Sequence, residues 1–486
     1  MLLLPDSSPA WIVLKYPTLG YHSATLYRFQ KNNPGLKSFL RFHHGKTVRK
    51  ASQLYKPKYA GISVTGDHLR FFYTAYDPTR DRTLAFVQKL APSGQAIDRP
   101  QILSKEKSPS ALLAADYLFV PSNNRRHFAL ISRQSPEKFQ GEVWEITVFN
   151  ASMELSWTNT VQVPYRSQEL DHIEFSLDSL GNLRALSRIY PGRQQRKSLQ
   201  LNQRHPFYAF FSFFPQDSLG SFHHSRLLFE SPWIQQLRFF TQKDQSLRFA
   251  GFYAQNPGDP SEGLITFELR PKDTLPSNML KHPFEFGFYE ALRPPGLSLA
   301  NGQDESAIIP RALLPLSDGS AALLAEQSLL TESCHTDYRT ARQYCSYTWF
   351  YNDIYLFYLL PDGTLKYKVK LPKRQMTTDD QGAFSSFLYF RYNNALHLFW
   401  LDHPKNKLSE QNDLRYMNNP KKAHIVHWTL PYKGIPKTQT YALPQNSGKT
   451  IVPMFREFLL LPGGKVFLSG VHRKKRVPGM LLPENK

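Results

Sequence analysis

Phe387-Leu388-Tyr389-Phe390-Arg391-Tyr392-Asn393-Asn394-Ala395-Leu396-His397-Leu398-Phe399-Trp400-Leu401 reads as two strands joined by a short polar turn. Leu396, Leu398 and Trp400 alternate with Ala395, His397 and Phe399, the period of two that marks a strand. Both faces of that second arm are rather apolar, as expected where sheets stack on both sides.

The same pattern recurs along the chain. An apolar run, a short polar turn and a second apolar run are centred on Asp67, Asn124, Gly181, Gln245, Gly319, Asn394 and Gly464, 57 to 75 residues apart. Repetition at such a spacing is the signature of a β-propeller, with each unit read as four strands. A strand-turn-strand signal at Leu359 to Tyr367, around Pro361-Asp362-Gly363, supplies the outer hairpin of one unit. Only six units carry their own outer pair. The missing pair stands at the other end: Ser23 to Phe29, the turn Asn32-Asn33-Pro34-Gly35, then Leu36 to Phe42. The expected fold is therefore all-β, a single seven-bladed β-propeller over 1–486. In it the last blade is closed by N-terminal strands pairing with C-terminal strands, from about residues 20–45 and 453–473. Such closure leaves no open edge at the seam. Residues 473–486 are expected to be a basic, flexible tail.

Composition agrees. Of 486 residues, 41% are hydrophobic, and the 35 Phe and 25 Tyr suit strands. No long segment has a helical period, and no stretch reaches the ~18 apolar residues of a membrane helix. Three stretches fall outside the repeat and read as loops: Gly192 to Pro206, Pro271 to Pro310, and Ser328 to Tyr347.

The net charge is +21. Scattered Lys and Arg make a soluble basic surface; a sharper reading is attraction to an anionic surface. The one dense basic run, Arg473 to Arg476, lies near the C-terminus. A nucleic-acid partner is not expected, since no recognisable module accompanies the charge.

Cys334 and Cys345 are the two cysteines, and their spacing leaves room for a disulfide, informative if the compartment is oxidising. A zinc site on Cys334, His335 and Cys345 lacks a fourth ligand and a CxxC pair. Neither a metal nor a cofactor is expected. WD40, kelch and sialidase signatures are missing, as are a phosphate loop, an HExxH helix and a GxSxG elbow. Lys373-Arg374-Gln375 is placed on a rim of the channel, where a Lys/Arg/Gln set suits carboxylate or sulfate. Asp171 and His172 open an inner strand on the same rim. These five are the candidate ligand-binding residues; catalytic residues stay unassigned. Trp349, Tyr351 and Tyr355 alternate on one strand face and read as interblade core.

Trp349-Phe350-Tyr351-Asn352-Asp353-Ile354, Pro361-Asp362-Gly363 and Leu371-Pro372-Lys373-Arg374-Gln375 together resemble a stretch of uncharacterised propeller-like envelope proteins of Bacteroidetes-type bacteria. The resemblance covers roughly 30 residues and brings no assigned activity. It implies export, to the periplasm, the outer membrane or outside the cell. The start Met1-Leu2-Leu3-Leu4-Pro5-Asp6 is too short for a signal-peptide core. Export then needs a leader missing from this start; otherwise the location is cytoplasmic. The favoured function is a non-catalytic binding or scaffold module whose rim loops hold a protein or glycan. The alternatives are a carbohydrate-active hydrolase or lyase, marked by paired carboxylates in the channel mouth, and a basic adaptor, marked by steep salt dependence.

Overall fold

In the computed structural model the chain is all-β, with one three-residue 3-10 turn at Pro420–Lys422 among the described residues. The structure describes strand backbone from Leu2 to Leu481 and, with side chains, most of residues 70–455. Outside the described residues lie 16–22, 43–54, 91–96, 108–115, 135–140, 191–206, 289–306, 407–413, 461–465 and 482–486, with shorter gaps. The chain divides into two compact units, 1–228 and 229–486.

Both units are built from antiparallel sheets whose strands follow chain order. In the first unit, sheet I comprises Leu2–Leu3, Pro9–Lys15, Ser23–Gln30 and Asn33–Phe42. Sheet II comprises Tyr55–Thr65, His68–Asp77, Arg82–Leu90 and Gln101–Lys107. Sheet III comprises Asp116–Pro121, His127–Gln134, Val143–Asn150 and Leu155–Gln162. Sheet IV comprises Leu170–Leu177, Leu183–Ile189, Phe207–Phe213 and His223–Leu227.

In the second unit, sheet V comprises Trp233–Thr241, Leu247–Ala254, Gly263–Leu269 and Ser277–Pro283. Sheet VI comprises Ala307–Pro315, Ala321–Asp337, Arg342–Leu359 and Leu365–Leu371, with Gln375–Thr378 as a fifth strand. Sheet VII comprises Phe387–Tyr392, Ala395–Asp402, His424–Pro431 and Lys437–Ala442. Sheet VIII comprises Val452–Leu460, Val466–His472 and Lys475–Leu481.

Sheets II to IV, and sheets V to VIII, stack face to face in succession, which is why their strands are apolar on both sides. Ala250 and Phe252 of sheet V meet Leu323, Ala325, Tyr355 and Phe357 of sheet VI. The alternate residues Leu324, Leu356 and Tyr358 meet Leu398, Trp400 and Val426 of sheet VII. Sheets II and III join through Phe72, Val87, Phe128 and Leu130, and sheets III and IV through Trp144, Ile146, Ala185 and Phe211.

The turns that revealed the repeat have the backbone such turns require. Gly181, Gln245, Gly319 and Asn394 all have φ between 53° and 86°, the left-handed region open to Gly and tolerated by Asn. The turns at Asp67, Asn124 and Gly464 lie outside the described residues. Behind these turns an arginine recurs directly after a leucine near the start of the second strand: Arg70, Arg184 and Arg248 are all buried. Arg248 donates to the Gly319 and Leu360 carbonyls of sheet VI at 3.3 and 3.2 Å, and to that of Pro361. Arg70 donates to the Ala151 carbonyl in a turn of sheet III. These two clamps satisfy turn carbonyls of the following sheet with a donor from the one before, whereas Arg184 donates to Asp178 of its own turn at 3.0 Å.

The expected shared last blade is not the observed pairing. Ser23–Gln30 is paired on one side by Pro9–Lys15 and on the other by Asn33–Phe42. Val466–His472 is paired by Val452–Leu460 and by Lys475–Leu481. Both edges of both strands are therefore taken. Pro9-Ala-Trp-Ile-Val-Leu-Lys15 supplies an inner strand that was passed over, and residues 475–481, expected as tail, form an edge strand. Pro478 is tolerated there, since an edge strand need not donate on its outer side.

Candidate functional site

Residues 328–347, expected as a loop, continue the two central strands of sheet VI into a long hairpin. Pairing runs without interruption from Ser328↔Tyr351 to Asp337↔Arg342. The inner strand of the sheet stops pairing at Ala307↔Ser328, and the outer strand at Ile354↔Leu371. The fifth strand still pairs with Thr348 to Tyr351, and beyond Ser328 and Tyr347 the hairpin stands clear of its sheet. Every described residue from Ser328 to Trp349 is exposed or half-buried. Leu330 is 49% exposed, Tyr344 56% and Tyr347 39%.

Two features keep this element in one conformation. The first is a disulfide. Cys334 and Cys345 are directly opposite and joined, with their Cα atoms 4.0 Å apart. Their sulfurs are consumed, so the zinc reading with His335 is set aside. The Glu332 carboxylate, on the same face, accepts from the Tyr347 hydroxyl at 2.9 Å. Tyr347 in turn lies 6.1 Å from the Trp349 ring.

The second feature is a buried polar cluster at the hairpin root, and it contains the sequence-predicted Lys373, Arg374 and Gln375. Where Leu365–Leu371 ends, Pro372-Lys373-Arg374 breaks the strand, and Gln375–Thr378 resumes pairing along Thr348 to Tyr351. The break turns Lys373 into the protein. Lys373, Gln375 and Glu326 are 0% exposed. Lys373 Nζ donates to Glu326 Oε1 at 2.6 Å, to Gln375 Oε1 at 2.9 Å and to the Tyr351 carbonyl at 3.2 Å. Glu326 Oε2 accepts from Arg311 Nε at 3.0 Å and from Ser386 Oγ at 2.6 Å. Arg311 reaches it because it is the unpaired residue of a bulge between Pro310 and Ala312, which re-aims its side chain. Gln375 Nε2 donates to the Leu401 carbonyl at 2.7 Å, and the Ser386 amide to Gln375 Oε1 at 2.7 Å. Arg374 pairs with the buried Asp353, which Lys370 also approaches at 3.4 Å.

The electrostatics follow from that geometry. Burial pushes the Glu326 carboxyl up, but Lys373, Arg311 and the hydrogen bonds together outweigh it and hold it below its ordinary range. Burial draws the Lys373 ammonium down, against the attraction of Glu326. Burial also raises the nearby Asp402 to about 6. The triad thus faces inward, and its donors are bonded to protein groups of sheets VI and VII. What it positions is the hairpin, from the side facing sheet VII.

The other candidates lie apart. Asp171 and His172 sit on the inner strand of sheet IV, opposite Arg188 and Ser187; their side chains lie outside the described residues. A cavity of about 860 Å³ opens between the turns of sheets V, VI and VII, lined by Lys243, Asp244, Asp318, Arg391, Tyr392 and Asn394 among others. Its charges are spoken for in part: Asp244 and Asp318 accept from Ser246 and Ser320 within their own turns, and Arg391 donates to the Pro315 carbonyl.

Among the described residues Glu106 and Glu145 come together. Glu106, on the outermost strand of sheet II, is raised to about 8, first by burial and then by a hydrogen bond with Glu145 of sheet III. Glycoside hydrolysis instead needs carboxyls about 5 to 9.5 Å apart, with a sugar between them. Gln134 and Ser104 also bond to Glu106, so the pair is packed with protein groups.

No protein-family model matches the chain, and no curated protein does. Among solved structures it is similar to a Bacteroides caccae protein of unknown function, at 9% identity and a TM-score of 0.29, covering 71% of this chain and 89% of that one. It is similar to the β-propeller domain of the trilobed protease from Pyrococcus furiosus, at 7% identity and a TM-score of 0.36, covering 90% and 93%. It is also similar to prolyl oligopeptidase B from Galerina marginata, at 8% identity and a TM-score of 0.39, covering 99% of this chain but 54% of that one. The chain thus spans about half the length of that peptidase. At these TM-scores the likenesses carry no functional argument.

Proposed function

We propose that this protein is a non-catalytic binding module of propeller type, in which the hairpin of sheet VI is the recognition element for a protein partner. The observation that carries this reading is an element exposed on both faces and yet fixed at both ends. The disulfide holds the tip, and a buried ion network holds the root. An exposed strand pair gains little from burial, and an isolated two-stranded hairpin is marginal in water. Holding it in one conformation lowers the ordering cost of binding. Exposed tyrosines are among the side chains that interfaces draw on.

A disulfide on a solvent-facing tip suits an oxidising compartment, so the proposal extends to an exported protein of the cell envelope. The hydrolase or lyase reading has less support, because the acid pair of sheets II and III is packed rather than open.

The test is site-specific photocrosslinking in extract of the source cells. A benzophenone side chain at Tyr344 is compared with one at Leu155, a 60% exposed residue of sheet III. A discrete crosslinked product from Tyr344, absent from Leu155 and competed by unlabelled protein, is expected. Equal labelling from both positions would sink the reading.

A further inference from the structure

We propose that the outer edge of hairpin residues 329–337 accepts an extended, acidic segment of a partner protein as an added β-strand; this rests on the binding-module reading above.

The phase of the hydrogen bonding carries the inference. Antiparallel pairs alternate between wide, doubly hydrogen-bonded pairs with Cα atoms about 5.5 Å apart and narrow, non-hydrogen-bonded pairs about 4.5 Å apart. Cys334↔Cys345, at 4.0 Å, is of the narrow kind. The phase then places Leu330↔Trp349, Glu332↔Tyr347 and Thr336↔Gln343 in the same class. An independent observation agrees. Tyr347 sends its amide to Asp379 Oδ1 at 2.8 Å, and its carbonyl accepts from the Asp379 amide at 2.9 Å, both away from Glu332. The amides and carbonyls of Leu330, Glu332, Cys334 and Thr336 therefore point out of the hairpin, along its other edge. Among the described residues no strand pairs there.

Such an edge is a template for another strand. Native proteins blunt edges with charged side chains, lysine above all, and with proline, bulges or a covering element; here the charges are Glu332 and Asp337. Residues 329–337, Leu-Leu-Thr-Glu-Ser-Cys-His-Thr-Asp, contain neither lysine nor proline, and their pairing with the opposite strand has no bulge. Four outward amide and carbonyl pairs recur about every 6.8 Å, the two-residue repeat of a strand. They match a partner strand of about seven residues.

The choice between a second copy and a foreign segment follows from charge. Each chain carries +21, so two copies repel at long range, whereas an acidic segment is drawn in. On the hairpin itself Glu332 and Asp337 of the edge strand balance Arg339 and Arg342 in sequence, so the attraction rests on the charge of the chain as a whole.

The probe is a set of fluorescent ten-residue peptides with alternating polar and apolar residues, in acidic, neutral and basic series, titrated against the full chain. The acidic series should bind at least ~10-fold more tightly than the basic one in low salt, with the gap closing as salt is added. N-methylation of alternate peptide amides should abolish binding in one phase and spare it in the other. Glu332→Pro removes one outward amide but no amide used by the opposite strand; it should weaken binding at least ~10-fold, whereas Glu332→Ala should change it less than ~3-fold. Disulfide formation reports that each variant hairpin has folded, and Thr336→Pro replaces Glu332→Pro if it has not.

Binding by no series, N-methyl effects without alternation, or an inert proline would each overturn strand addition. So would concentration-dependent self-association abolished by Glu332→Pro without peptide binding, which would assign the edge to a second copy. If Tyr344 still gives its crosslink in any of these cases, the binding-module reading survives; if it does not, both fall.

Discussion

Lys373→Met tests whether the polar cluster at the hairpin root is a brace. The substitution nearly conserves volume and removes three hydrogen bonds, one to the buried carboxylate of Glu326 at 2.6 Å. Glu326 would keep Arg311 and Ser386 but lose its fully buried cation. Breaking a buried pair from one side costs about 3 to 5 kcal/mol, because the surviving charge stays desolvated. Glu326→Gln with Lys373→Met removes both charges, so the double variant should lose less than the sum of the singles, by about 1 to 3 kcal/mol. Urea unfolding of the four proteins gives this cycle. Hydrogen exchange should show residues 348–351 and 375–378 opening first. A loss under about 1 kcal/mol for Lys373→Met, or strict additivity, would falsify the brace. The pH dependence adds a sign. Glu326 is held below its unfolded value, so its contribution is full above about pH 4.5 and fades as pH falls further.

His427 supplies a second pH effect. It is buried, lowered to about 4 by burial and then by the neighbouring His397. Its folded value lies below the unfolded ~6.5, so stability should fall as pH drops from about 6.5 to 4, by about 3 kcal/mol for this group. His427→Gln should flatten that slope in pH-stepped denaturation; an unchanged slope would exclude the assignment. Arg248→Met should cost about 3 kcal/mol by orphaning carbonyls of the next sheet, with exchange rising first at 316–320 and 360–364; uniform loosening instead would contradict the clamp. Gly251→Ala places a Cβ against the carbonyl of Gln236. Backbone cannot step aside as a side chain can, so a loss of about 1 to 3 kcal/mol is expected by thermal melting, and a neutral outcome would refute the contact.

The sheets were legible because the turn signal is local. A positive φ at Gly181 or Gly319 needs only the right residue at the right place. The hairpin at 328–347 was not legible, because strand patterns are recognised by one buried face. Thr331-Glu332-Ser333-Cys334-His335-Thr336 has polar residues on both faces, and so reads as loop. Lys373 misled for the opposite reason. Three consecutive polar residues look solvated, yet the carboxylate that takes Lys373 inward is Glu326, 47 positions away, which no local window contains. One clue was present: Asn352-Asp353 interrupts an apolar strand, and an acid in such a run needs a cation. The Leu-Arg pairs at 69–70, 183–184 and 247–248 were equally visible once sought. The edge strand at 475–481 was hidden by Pro478 and Gly479, which weaken a strand pattern without forbidding an edge.

The arginine clamps give the array a sense of direction. Arg70 and Arg248 each reach forward, from one repeat to the turns of its successor, and neither bond is mutual. Loosening a donor sheet therefore exposes carbonyls in its successor, while loosening the successor leaves an arginine without its acceptors, so the two directions of failure differ in chemistry.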